Sequence, residues 1–229
     1  MLIKGLQKTT LLDYPTKVAS TVFTGGCNFR CPFCHNASLV THLDTDNIFD
    51  EDEVLNYLKK RKGILDGVCI TGGEPLLQKD IFEFCKKIKD IGLLIKLDTN
   101  GSRPKELDDL IQAELIDYIA MDIKNSLALY ANTCGISEFP QGVSDSVDII
   151  MSCGIDYEFR TTVVRELHSK ESIKELCEWI SGAKKYYLQA FKDSGDLIES
   201  GYSSYTEPEL DELLNIAKIY IPHAQLRGV

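Results

Sequence analysis

The feature that most constrains the fold is an alternation of short β-branched and aromatic runs with stretches of helical periodicity. The runs lie at residues 18–24, 67–71, 93–97, 118–123, 157–164 and 186–190, and the helical stretches at residues 50–62, 79–91, 105–113, 145–151, 170–180 and 207–219. Strict alternation of this kind predicts a parallel sheet with helices packed outside it. A short last strand is predicted at residues 225–229.

The number of units favours a barrel that is not closed. Six βα units fall short of the eight that close a full barrel. We therefore predict an α/β fold in the form of a partial (βα)6 TIM-like barrel, built as one domain over residues 1–229. A doubly wound flat sheet is the competing prediction, because periodicity alone does not separate the two.

Charge and hydropathy exclude two classes of partner. The chain has 25 Lys and Arg against 35 Asp and Glu, a net charge of −10, which disfavours nonspecific binding to nucleic acid or to an anionic membrane. No uncharged apolar run is long enough to span a bilayer, and the lysines at Lys4 and Lys8 are unlike a signal peptide. We expect a cytoplasmic protein, in which the eight cysteines are not paired as disulfides.

Polar residues follow the predicted strands, where parallel α/β folds place their active sites. In strand order they are the loop of residues 25–36, the Gly72-Gly73-Glu74 segment, Asp98 with Thr99 and Asn100, Asp122 with Lys124, then Arg160 and Gln189 on the last two strands. Because the carboxyl ends of parallel strands meet at one end of a sheet, we predict that these residues form one polar pocket.

The strongest chemical signal is a Cys-x3-Cys-x2-Cys pattern formed by Cys27, Cys31 and Cys34. Three neighbouring thiolates can bind three irons of a [4Fe–4S] cluster, which leaves the fourth iron open to a small molecule. The alternative is a structural zinc site, with His35 or a distant residue as fourth ligand. Zinc sites usually combine Cys-x2-Cys with a second pair further on, and this sequence has no such pair.

The Gly72-Gly73-Glu74 segment is a second candidate site. Its glycines allow the backbone to approach a ligand closely, and the carboxylate can pair with an amine. The alternative is a tight loop before the next helix. The remaining cysteines are far apart in sequence and are predicted to be small buried hydrophobic residues: Cys69, Cys85, Cys134, Cys153 and Cys177.

Together these residues resemble the radical S-adenosylmethionine (SAM) superfamily. The three cysteines, with Phe33 at its usual aromatic position, match the cluster motif of that family, and Gly72-Gly73-Glu74 matches its second motif. Residues 5–15 and the Cys34-His35-Asn36 ending resemble the activators of anaerobic ribonucleoside-triphosphate reductase. One departure is Thr16, where a glycine is expected. No cysteine lies in residues 35–68 or beyond Cys177. We therefore expect that the protein lacks both a ferredoxin-like insert and a C-terminal auxiliary-cluster domain.

The resemblance implies roles for the predicted pocket. Cys27, Cys31 and Cys34 would bind the cluster, and SAM would bind its open iron. The implied contacts to the SAM amino group are Gly72, Gly73 and Glu74, and the implied contact to its carboxylate is Lys124. Contacts to the methionyl part or to a monovalent cation are implied for Asp98, Thr99 and Asp122, and contacts to the ribose or a role in chain positioning for Asn100 and Arg160. Phe33 and His35 would contact the adenine, and Gln189 would lie elsewhere in the site. The alternatives are a turn cap for Asp98, a barrel ion pair for Arg160 and a position beside the cluster for His35.

The resemblance also implies a function. The protein would cleave SAM reductively with electrons from a low-potential donor and abstract a hydrogen from a glycine of a partner enzyme, with anaerobic ribonucleotide reductase as the first choice. The alternatives are another glycyl-radical enzyme of the pyruvate formate-lyase type, or a small-molecule reaction such as 7-carboxy-7-deazaguanine synthesis. A different class is an electron-transfer or zinc-binding module without catalysis.

Overall fold

The computed structural model describes residues 1–41, 43 and 48–228. In this part of the chain the strands are β1 (Ile3–Thr10), β2 (Ala19–Thr24), β3 (Gly67–Gly72), β4 (Leu94–Thr99), β5 (Tyr118–Asp122), β6 (Asp156–Val163), β7 (Tyr186–Ala190) and β8 (Gln225–Arg227). The helices are α1 (Ala37–Thr41), α2 (Glu51–Lys60), α3 (Ile81–Ile91), α4 (Pro104–Gln112), α5 (Tyr130–Cys134), α6 (Gly142–Ser152), α7 (Lys170–Trp179) and α8 (Glu207–Tyr220), with a 3-10 helix at Pro75–Leu77.

The strands form one sheet in which spatial order follows chain order from β1 to β8. β1 is antiparallel to β2, and each later neighbour is parallel. A doubly wound sheet reverses its strand order at a switch point, and this sheet does not. The prediction of a partial barrel of the radical SAM type is therefore confirmed, and its six units correspond to β2–β7.

The sequence-based expectations differ from the structure at the edges of the barrel. The sequence does not predict β1, because only its first and last residues are buried and it therefore lacks an apolar alternation. β1 is an edge strand that pairs with β2 alone among the strands of the sheet. The short helices α1 and α5 were also missed, since five residues carry too little periodicity. The predicted last strand corresponds to β8, and its predicted end at residue 229 lies outside the described residues.

The apolar core lies between the sheet and the helices. The middle of β3 is fully buried, and α3 presents Ile81, Phe84, Cys85, Ile88 and Ile91 to the interior. Capping residues mark the ends of the helices. Gly92 ends α3 in a left-handed conformation, and the Thr206 N–H donates to Glu209 at the start of α8. This packing leaves the strand ends and their loops to form the site.

None of the described helices is long and apolar enough to cross a membrane. The cytoplasmic location stays a prediction.

Candidate cofactor site

A cavity of about 250 Å³ lies at the carboxyl ends of the strands. Fourteen of the fifteen predicted site residues line it, and Glu74 is the exception. The lining residues from that set are Cys27, Cys31, Phe33, Cys34, His35, Gly72, Gly73, Asp98, Thr99, Asn100, Asp122, Lys124, Arg160 and Gln189. The structure therefore brings together side chains from six successive strand ends, as the alternation of strands and helices predicted.

The three cysteines lie on one loop between β2 and α1. Gly26 adopts a φ of 89°, which starts the loop, and the Cys34 N–H donates to the Cys31 carbonyl at 3.1 Å. In the described residues, no three His, Cys, Asp or Glu side chains converge on one ion. A [4Fe–4S] cluster does not require such convergence, because each cysteine binds a different iron. This donor set thus fits a cluster better than a single zinc ion.

The Gly72-Gly73 segment is interlocked with the cysteine loop through the backbone. The Gly73 N–H donates to Thr24 and the Glu74 N–H donates to the Gly26 carbonyl, each at 2.8 Å. A Cβ at Gly73 would lie 2.0 Å from the Gly26 oxygen, and Gly72 has a φ of 111°. Glycine is thus needed at both positions to bring the two segments together beside the cavity.

The structure places the Glu74 carboxylate differently from the sequence-based expectation. It is fully buried and accepts hydrogen bonds from Leu76 N at 3.0 Å, Thr99 Oγ1 at 2.8 Å and Asn100 N at 2.6 Å. Burial raises the pKa of Glu74 to about 7. Because these contacts are within the protein and outside the cavity lining, Glu74 stabilises the turn after β4 and does not offer a free carboxylate to an amine.

Charged side chains form a row of alternating sign across the barrel. Lys96 pairs with Asp98, and Arg160 bridges Asp98 at 3.1 Å and Asp122 at 2.9 Å. Lys124 ends the row, 3.0 Å from the other Asp122 oxygen. Burial alone would raise the pKa of Asp122, but Arg160 and Lys124 outweigh burial and hold the pKa below its ordinary value. Lys96 lies outside the cavity lining, so the charges of the row that line the cavity are two cations and two anions. Lys124, at the end of the row, is the cation placed to meet an anionic group such as a carboxylate.

The bridging position of Arg160 bears on the predicted monovalent cation. Arg160 supplies, between the carboxylates of Asp98 and Asp122, the positive charge that a cation would bring. The cation stays a prediction. The alternative interpretation of Arg160 as a barrel ion pair matches the contacts observed, although its side chain also lines the cavity.

The two predicted adenine neighbours, Phe33 and His35, both line the cavity. Phe33 is buried with its ring edge-on to His168, and the exposed His35 ring stacks on Phe191 with centroids 5.4 Å apart. Phe29 and Asn36 also line the cavity, as expected from the segments predicted to form the pocket. Thr71 and Thr162 line it as well, and Thr162 faces the same side as Arg160 because it lies two residues further along β6. Val40, in α1, is a lining residue that the sequence did not predict.

Cys134 is also placed unexpectedly. It is fully buried, as predicted for a small hydrophobic residue, but its thiol lies near enough to Cys31 for the two thiols to shift each other's pKa. The Arg30 N–H donates to the Cys134 carbonyl at 2.8 Å, which ties α5 to the cysteine loop. No local signal could have indicated this contact, because the two cysteines are separated by several strands and helices.

The fold and site define a class of protein, and comparison with known families agrees. The Radical SAM superfamily model matches residues 21–180. This chain belongs to the radical SAM superfamily. Its cofactors are therefore a [4Fe–4S] cluster and SAM, and it is an enzyme.

Two curated relatives have sequences that match most of the chain. A Methanocaldococcus jannaschii protein, assigned as a glycyl-radical enzyme activating enzyme, is 30% identical over 239 residues, covering 100% of this chain and 96% of the relative. The pyruvate formate-lyase-activating enzyme of Clostridium pasteurianum is 27% identical and covers 80% of this chain and 77% of its own length.

A solved structure shows a similar fold. Streptococcus suis SuiB bound to its precursor peptide SuiA superposes with a TM-score of 0.73 at 17% identity. The match covers 91% of this chain and 48% of SuiB. At this identity the likeness concerns the fold alone.

Proposed function

We propose that this protein activates a glycyl-radical enzyme by abstracting a hydrogen atom from a glycine of that partner. The observation that carries the proposal is the match to the assigned activating enzyme of M. jannaschii, which extends over 100% of this chain and 96% of the relative. Two chains that correspond from end to end share the whole of their architecture and not only a cofactor-binding core.

The finer proposal is that the partner is anaerobic ribonucleoside-triphosphate reductase. The opening segment of residues 5–15 and the Cys34-His35-Asn36 ending of the cluster loop support it, because both resemble the activators of that reductase. A low-potential electron donor is the second partner, since reduction of [4Fe–4S] clusters reaches potentials as low as about −700 mV.

When bound and reduced, the cluster and SAM supply a 5′-deoxyadenosyl radical that takes a hydrogen atom from the substrate. The residues of this chain position the reactants. Lys124 and Arg160, held by Asp122, offer the cationic end of the charged row to the SAM carboxylate. Gly72 and Gly73 bring backbone groups to the lining of the same cavity.

The segment between β7 and α8 packs on the cysteine loop and on α1, and this arrangement supports a protein substrate. Its Glu199 N–H donates to the Pro32 carbonyl at 2.9 Å, and Asp196 accepts from the Ser38 hydroxyl at 2.9 Å. These contacts hold the segment against the cysteine loop. A glycine-containing loop of a partner would then meet a preformed wall beside the cluster.

A small-molecule reaction is the second candidate. The GTP 3′,8-cyclase of Helicobacter pylori is 32% identical over 177 residues, which covers 72% of this chain but 51% of the relative. This chain spans about half the length of that relative, so a cyclase activity is supported by the shared core alone.

The test is a radical assay with purified components. The protein is reconstituted anaerobically with iron and sulfide, reduced chemically, and mixed with SAM and anaerobic ribonucleotide reductase. We expect a glycyl-radical doublet by electron paramagnetic resonance (EPR) and one 5′-deoxyadenosine per radical. Two controls, a reductase whose radical glycine is replaced by alanine and the Cys31→Ala activator, should give no doublet.

Other outcomes would redirect the proposal. A doublet only with a pyruvate formate-lyase-type enzyme would exclude the reductase as partner and keep the activator class. No doublet with either partner, together with turnover of GTP or a pterin-like substrate, would overturn the activator class.

A further inference from the structure

Two donors of this chain face the sulfur of Cys27. The Phe29 N–H lies 3.4 Å from Sγ, and the Asn100 side-chain amide lies 3.6 Å from it. Asn100 belongs to the turn after β4, far from the cysteine loop in sequence. The contact therefore joins a cluster ligand to a different strand of the barrel.

The orientation of the Asn100 amide is determined by its other partners. Its Oδ1 accepts from the Ser102 backbone N–H at 2.9 Å, and because a backbone N–H can only donate, the oxygen must face Ser102. The Nδ2 group is left to face Cys27 and the Asn28 oxygen, which it approaches at 3.0 Å. The Asn100 amide therefore directs its N–H donor, and not its oxygen, at the sulfur of Cys27.

The position of Asn100 is equally constrained. Its backbone N–H donates to the buried Glu74 carboxylate at 2.6 Å, and its side chain is nearly buried. The exposed Asn28 amide donates in turn to the Ser102 hydroxyl at 2.9 Å, which closes a ring of hydrogen bonds. The Gly-Gly-Glu segment, the β4 turn and the cysteine loop thus meet at the sulfur of Cys27.

We propose that Asn100 is a positioning residue that holds Cys27 and raises the reduction potential of the cluster. A hydrogen bond to a ligand sulfur stabilises the state with more negative charge, which is the reduced cluster. The donor set of the cysteines fits a cluster, and the inference needs the cluster alone. It is independent of the proposed glycyl-radical partner and is tested without one.

The test is a redox titration of the reconstituted protein, with the reduced cluster followed by EPR in the absence of SAM. Asn100→Ala removes the donor, and we expect a more negative midpoint potential than in the wild type. Asn100→Asp keeps an acceptor for Ser102 but turns a carboxylate oxygen toward the sulfur, so we expect a larger shift in the same direction. Iron and sulfide content is measured on every sample.

Asn36→Ala is the matched control. Asn36 lines the same cavity, but its side-chain amide donates to the Gly72 carbonyl at 3.4 Å. We expect its potential to equal that of the wild type. A shift as large as that of Asn100→Ala would mean that cavity polarity in general sets the potential, and would overturn the proposal.

Two further outcomes decide the matter. A wild-type potential in Asn100→Ala overturns the proposal, even if Asn100→Asp shifts through its added charge. If Asn100→Ala retains no cluster, the variant Asn28→Ala tests the proposal instead. This variant removes the acceptor of the other Asn100 Nδ2 hydrogen, and we expect its midpoint potential to be more negative than that of the wild type, by a small amount. An unchanged potential in Asn28→Ala would then overturn the proposal.

Discussion

The two ends of the barrel contain cavities of similar size with opposite chemistry. The carboxyl-end cavity, about 250 Å³, is lined by the three cysteines, by two glycines and by two ion-paired charges of each sign. The amino-end cavity measures about 230 Å³ and is lined by charges such as Lys96, Glu158 and Arg227. Asp98 and Arg160 line both cavities, so the same ion pair separates them.

The charges at the amino end neutralise one another. Arg227 donates to both oxygens of Glu158, at 2.9 and 3.2 Å, and the Tyr118 hydroxyl donates at 3.0 Å. Among the described residues, the lining of this cavity includes no cysteine and no glycine, although the Cys69 thiol lies 3.8 Å from Lys96 Nζ. The volume of a cavity therefore does not identify the functional end, whereas the three cysteines and the close-packed glycines of the carboxyl end do.

The largest expected effect separates the cluster cysteines from the others. Cys31→Ala should abolish the iron–sulfur absorbance and reductive SAM cleavage, because the cluster would lose one of its three predicted protein ligands. Cys177→Ala, in the buried face of α7, should keep both and lose about 1 kcal/mol of stability. Absorbance spectra and 5′-deoxyadenosine yield measure the difference. Loss of the cluster in Cys177→Ala with retention in Cys31→Ala would reverse the assignment.

The next effect concerns the contact between the two motifs of the carboxyl end. Gly73→Ala would place a Cβ 2.0 Å from the Gly26 oxygen, so the backbone beside Cys27 must move. We expect both cluster content and SAM affinity to fall at least tenfold. The control Gly5→Ala, whose Cβ would lie 3.3 Å from the Phe23 ring, should retain both. Normal SAM binding by Gly73→Ala in an equilibrium assay would contradict the interlocked arrangement.

The two ends should respond to pH with opposite sign. At the carboxyl end, burial raises the pKa of Glu74 from its ordinary 4.5 to about 7, so the folded state binds a proton that the unfolded state releases. This contribution is complete below pH 4.5 and is lost as pH rises through about 7, about 3 kcal/mol in all. Denaturant unfolding from pH 4.5 to 8 should show the loss, which Glu74→Gln should lack. Parallel pH curves for the two proteins would contradict it.

At the amino end, the pKa of Glu158 is shifted in the opposite direction, so its contribution to stability should fall as pH decreases. Burial alone would raise its pKa, but the hydrogen bonds and charge of Arg227, with Arg160, hold it below the ordinary value of 4.5. Arg227→Ala should cost about 2 kcal/mol of stability above pH 4.5, a difference that shrinks as pH falls through the folded-state pKa. SAM affinity should not change. A larger effect on SAM affinity than on stability would show that the ends are not separable.

The smallest effect lies at the turn before β2. Thr16 adopts a φ of 62°, a left-handed conformation that a β-branched residue rarely takes, at the position where the sequence resemblance predicts glycine. Thr16→Gly should therefore stabilise the protein by about 1 kcal/mol. The exposed control Thr9→Gly in β1 should destabilise it by about the same amount. Thermal unfolding of both variants measures the pair, and a loss of stability in Thr16→Gly would contradict the strain.

Much of the site was predictable because its signals are local. Cys27, Cys31 and Cys34 lie within one loop, and the residues after β3, β4 and β5 were expected to meet because parallel strands share one end. The direction of individual side chains was not predictable. Glu74 follows two glycines and looked free to bind a ligand, yet it is used by the β4 turn.

The sequence by itself determined the parallel βα order and the cluster loop, since periodicity and short spacing act through neighbouring residues. Only the tertiary structure decided which distant groups meet. The contacts of Asn100 with Cys27 and of Cys134 with Cys31 join segments that are separated by whole βα units. Such contacts depend on strand register and packing across the barrel, because a side chain at a strand end selects its partner from whatever the neighbouring loops place within reach.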